Sequence, residues 1–102
     1  VYQGLSAEEA SALARQDCQI FTGRIPFRGV EEVRYLIPRP GHLEISLYDL
    51  SGRKVETLFS GRTNKISGKV SINSSGHPSG YYFLAIELDG KILKTAKVLF
   101  LR

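Results

Sequence analysis

Asp89-Gly90, set between the apolar runs 81–88 and 92–101, constrains this chain more than any other feature. Both residues accept the positive φ that a two-residue type I′ loop demands, and such a loop returns a strand antiparallel to its partner. A β-hairpin is therefore expected at the end of the sequence. Alternate side chains of a strand point to opposite faces. On the penultimate strand Tyr82, Leu84, Ile86 and Leu88 share one face, and Tyr81, Phe83 and Ala85 the other; on the last strand Val98 and Phe100 oppose Leu99 and Leu101. One face has to be core. The second is expected to lie under an N-terminal helix or under residues 20–27; left uncovered, it is a partner-facing patch or an edge open to pairing.

The same period of two recurs upstream. Val33, Tyr35 and Ile37 alternate around Arg34 until Pro38-Arg39-Pro40-Gly41 breaks the run, and Leu43, Ile45 and Leu47 form the next strand. Asp49-Leu50-Ser51-Gly52 has the composition of a tight turn, because Asp bonds the amides that follow it and Gly takes positive φ. Strands over 54–59 and 68–73 follow, separated by a polar loop over 60–65, and 73–80 is too rich in turn formers to be anything but loop. Six to seven short strands at this spacing predict a mainly β fold, an immunoglobulin-like antiparallel β-sandwich. Ahead of it, Ser6 with Glu9 three residues later makes a capping box, which predicts a short helix from Ser6 to about residue 17. Its stripe of Ala10, Leu13, Ala14 and Cys18 is too narrow to hold a helix alone, so the helix has to dock. The expected organisation is an N-terminal helical segment over 1–18 and a β-sandwich over 19–102.

A chain of 102 residues makes one domain with one modest core. Its net charge of +4 comes from dispersed Lys and Arg, so nucleic acid is not an expected partner. No apolar run approaches the roughly 20 residues that a membrane-spanning helix needs. Val1 is not an initiator Met and no signal peptide follows it, so the chain reads as a processed product or an excised segment. The single cysteine, Cys18, cannot form an internal disulfide and reads as a small core residue. His42 and His77 stand beside Pro and Gly in expected loops with no cysteine or carboxylate cluster near them. They read as solvated loop residues, and neither a metal site nor a cofactor is expected. There is no Gly-x-Ser-x-Gly elbow and no phosphate loop. Glu8-Glu9 and Glu31-Glu32 read as a helix first turn and a solvated strand edge. No catalytic residues are assigned, and an enzyme is not expected.

Five stretches give the chain a recognisable order: Ile25-Pro26-Phe27; Pro38-Arg39-Pro40-Gly41; Leu47-Tyr48-Asp49-Leu50-Ser51-Gly52-Arg53-Lys54-Val55; Pro78-Ser79-Gly80-Tyr81-Tyr82-Phe83-Leu84; and Lys94-Thr95-Ala96-Lys97-Val98-Leu99-Phe100-Leu101-Arg102. In this order, flush with the last residue, they resemble the C-terminal sorting domain of proteins exported by the type IX secretion system of Bacteroidetes-type bacteria. The resemblance is to its type A, immunoglobulin-like form and runs from about Gly23 to Arg102. Two positions depart from the pattern: Ile25 replaces Asn in the opening motif, and Gly76-His77 replaces the usual Leu before Pro-x-Gly.

The resemblance implies a non-enzymatic module that is read by export machinery after passage through the periplasm. It further implies a protein delivered to the cell surface or beyond it, with the domain often removed there as cargo passes to a lipopolysaccharide anchor. By residue, the family's export motifs fall on Pro78, Gly80, Tyr82, Lys94, Lys97 and the terminal strand through Val98 and Phe100 to Arg102. Tyr81 and Phe83 join them as the exposed face of the last hairpin. The expected partner is the secretion machinery or a surface protein. The alternative is a self-assembling structural subunit of a cell-surface polymer, joined through the exposed strand and the N-terminal segment.

Overall fold

The computed structural model describes residues 18–23 and 26–101. The expected N-terminal helix, Ile25 and Arg102 lie outside the described residues. Seven strands follow in order: β1 (Gln19–Phe21), β2 (Val30–Leu36), β3 (Gly41–Asp49), β4 (Lys54–Thr63), β5 (Ser67–Asn73), β6 (Gly80–Leu88) and β7 (Lys91–Phe100), with a short 3-10 turn (Ser74–Gly76) between β5 and β6. They form two sheets of antiparallel pairs, one in the order β1-β2-β5 and the other β4-β3-β6-β7.

Period-two patterning dictates how the sheets face each other. Val33, Tyr35 and Ile72 point inward from the three-stranded sheet and meet Leu43, Ile45, Leu47, Leu84, Ile86 and Leu88 from the four-stranded one. Burying a side chain of this size contributes roughly 1.5–3 kcal/mol, so this shared layer holds the sheets together. The outward residues of β3, such as His42 and Glu44, are exposed or half-buried.

Three local expectations are corrected. Residues 60–63 are not loop: β4 runs on to Thr63, because Ser60 and Arg62 pair with Glu44 and His42 across the ladder and leave their side chains on the solvent face. A polar stretch on an exposed sheet face looks like a loop when read alone. For the same reason His42 is a strand residue, not a loop one. His77 is not solvated. Its side chain is only 14% exposed, with Nε2 lying 2.7 Å from Glu56 Oε1 and the ring tilted against Tyr82 and Phe100 at 5.7 and 5.9 Å between centroids.

The apolar residues described within 20–27 do not cover the outer face of β6. Ile20 and Phe27 turn inward: Phe27 is fully buried and Ile20 packs against the core. Cys18 also packs half-buried against the core, as its reading predicts. Burial pushes its thiol pKa up to about 11, against the opposing pull of the Lys94 charge.

Candidate functional site

The last hairpin begins in a turn that three side chains brace. Gly80 holds φ at +146°, a conformation that side-chain-bearing residues rarely adopt, which accounts for glycine after Pro78-Ser79. Two residues later Tyr82 turns into the core, and its hydroxyl donates to the Pro78 carbonyl at 2.6 Å. A tyrosine near the start of this strand that bonds back to the preceding loop is the tyrosine corner of β-sandwiches. Its ring stacks on Phe100 at 4.5 Å, with His77 against both rings. The imidazole is anchored to Glu56 on β4.

Register then aligns the hairpin. Tyr82 faces Val98, Phe83 faces Lys97, and Ile86 faces Lys94, with one irregularity after Ile86. The connecting turn has Asp89 at φ +52° and Gly90 at φ +83°, the pair of positive values expected for Asp-Gly. Asp89 also ties the hairpin to β3: its Oδ1 accepts from the His42 amide at 2.9 Å, and its own amide donates to the His42 carbonyl at 2.8 Å. The amide bond, with the Arg39 charge beside it, holds the Asp89 carboxyl below the usual carboxylate range.

At the far end β7 is clasped from its open side. The Phe27 amide donates to the Leu99 carbonyl at 2.8 Å, and the Leu101 amide donates to the Phe27 carbonyl at 3.0 Å. The result is a parallel bridge between Phe27 and Phe100, whose rings stack at 5.9 Å. Sequence reasoning placed Phe27 in an opening motif but not beside the last strand, since no local pattern encodes a contact between segments so far apart.

The residues singled out from sequence therefore divide. Tyr82, Val98 and Phe100 are buried and belong to the core, so they hold the hairpin in place and present nothing to a partner directly. Gly80 shapes the turn. Pro78, Lys94 and Lys97 are exposed, Tyr81 is 47% exposed and Phe83 is half-buried. The Lys97 ammonium sits over the Tyr81 ring, 4.5 Å from its centroid, an arrangement that draws cation and ring together. Arg102 lies outside the described residues.

Among the described residues no group of three or more His, Cys, Asp or Glu side chains could hold a metal ion, and no helix is long and apolar enough to cross a membrane. No curated protein and no solved structure matches the chain. The family model described as the secretion system C-terminal sorting domain matches residues 26–100, from the segment that clasps β7 to the end of β7 itself. With most of its length inside that match and its strands folded as two antiparallel sheets, the chain belongs to the C-terminal sorting domain family of the type IX secretion system.

Proposed function

We propose that this chain is a non-enzymatic address: a folded module, read through its last β-hairpin by the secretion machinery, that carries attached protein through the periplasm to the cell surface. The family itself implies a secretion sorting signal and export to the surface or the extracellular space. The reading of the hairpin rests chiefly on Lys97 and Tyr81, which stand exposed on β7 and β6 while their neighbours Tyr82, Val98 and Phe100 are locked in the core. Pro78 and Gly80 set the turn from which the hairpin leaves, and Lys94 adds a second exposed cation on the terminal strand. An exposed strand pair flanked by cations suits recognition by another protein.

We also read the sandwich as immunoglobulin-like. The tyrosine corner supports this, as does a three-stranded sheet of β1, β2 and β5 facing a sheet in which β3, β6 and β7 are neighbours.

The test is transplantation. A periplasmic reporter is expressed with and without residues 1–102 at its C-terminus in a bacterium that has type IX machinery, and surface and released reporter are measured against periplasmic reporter. Export that depends on the appended chain is expected. Equal periplasmic retention of both reporters would overturn the reading.

A further inference from the structure

The outer face of the four-stranded sheet is uneven. At the end where β7 finishes, one row across the sheet brings Tyr48, Phe83 and Lys97 side by side, and the next brings Tyr81 beside Leu99. Leu50, in the turn directly after β3, adds to that end and is 64% exposed. Tyr48, Phe83 and Leu99 are half-buried and Tyr81 is 47% exposed, so the apolar groups reach solvent together. No carboxylate lies in either row. Toward the other end of the same face the pattern changes sign, and Glu44 stands opposite Glu87.

Two cations govern this end. Lys97 lies over Tyr81, and among the described residues it has no carboxylate partner. Lys54 lies 6.0 Å from the Tyr48 centroid but is tied to Glu44. Of these two lysines, Lys97 is therefore the one open to an incoming group among the described residues. The same geometry argues against a sugar as occupant, because the Lys97 ammonium already lies over the Tyr81 ring face on which a sugar would stack. Aromatic side chains clustered at the surface suit contact with another protein.

We propose that this end of the outer face, centred on Leu50, Tyr81 and Lys97, docks a protein partner whose contact surface is apolar with carboxylates at its rim. The proposal rests on the sorting reading and names the surface and partner chemistry that carry it. A patch confined to two rows of one sheet suits a transient contact, which is what a relayed export signal requires.

The experiment uses the reporter carrying the whole chain, with Leu50→Glu, Lys97→Glu and Lys97→Arg, and with Arg62→Glu as a control toward the other end of the face. Purified variants are checked for an unchanged thermal midpoint; Lys97 and Leu50 are both solvent-facing, so either variant serves if the other misfolds. Export is expected to fall about tenfold or more for Leu50→Glu and Lys97→Glu, with Lys97→Arg retaining more export than Lys97→Glu and Arg62→Glu close to the parent. Parent-level export by folded Leu50→Glu and Lys97→Glu overturns the docking face and leaves the sorting reading standing. Failure of the parent chain to export the reporter overturns both. The purified chain is also titrated with phosphatidylglycerol vesicles and with lipopolysaccharide. Binding to either that both Glu variants abolish would make the occupant a lipid or glycan and overturn the protein partner.

Discussion

Single side chains at the hairpin have separable roles. Tyr82→Phe keeps the stack on Phe100 and loses only the 2.6 Å bond to the Pro78 carbonyl. A stability loss of about 1 kcal/mol is expected from urea unfolding, with the denaturant slope unchanged. Asp89 gives a pH test. Its carboxyl is held low in the folded protein, so the stability it contributes is present above the ordinary aspartate range and is lost as pH falls through the lower folded value. Asn tolerates positive φ but carries no charge. Asp89→Asn should therefore lower the urea midpoint at pH 7, and the gap from the parent should close as pH falls below about 4. A gap independent of pH would show that the charge is irrelevant. Cys18 is a third case. With its thiol raised from 9.0 to about 11, its reaction with iodoacetamide at pH 8 should be about tenfold slower than that of an ordinary thiol, and should recover in urea. His77 shows the limit of reading residues singly: beside Pro and Gly it looks like a solvated loop histidine, and only the approach of Glu56, Tyr82 and Phe100 makes it a packing residue.

At the scale of elements, the hairpins and turns were legible because their chemistry is local. Asp89-Gly90 and Asp49 to Gly52 each carry their own instructions: Asp49 accepts from the Ser51 and Arg53 amides, and the Gly52 amide donates to the Asp49 carbonyl. Gly90→Ala places a side chain at φ +83° and should cost about 1 kcal/mol or more, with faster amide exchange confined first to the β6–β7 ladder. Uniform acceleration across both sheets would show instead that the hairpin opens only with the whole domain. Strand ends were less legible. β4 extends to Thr63 because β3 continues beside it as far as Gly41, a fact that belongs to the partner strand. Irregularities in that pairing, after Ile45 and after Leu47, let the edge strand turn Val55, Leu58 and Phe59 toward the core.

For the whole molecule, the last strand, proposed above to carry the signal, is also structural. Val98 and Phe100 are core residues, and Phe27 is bonded to the backbone on both sides of Phe100. A chain truncated at Lys97 should lose its cooperative thermal transition, because removing buried residues of this size costs several kcal/mol in a domain of marginal stability. Export lost on such truncation would report unfolding; a truncated chain that still melts cooperatively would show that β7 is dispensable to the core. Point changes on exposed residues are therefore the informative ones. By itself the sequence determined the β class, the hairpin, the inward faces of the strands and the family, because these depend on period, turn chemistry and motif order along the chain. Only the tertiary structure decided that Phe27 clasps β7, that His77 packs on the aromatic pair, and that Tyr48, Phe83, Tyr81 and Lys97 share one end of one face. Those are contacts between residues far apart in sequence, selected by how two sheets close over a common core, and no local pattern encodes them.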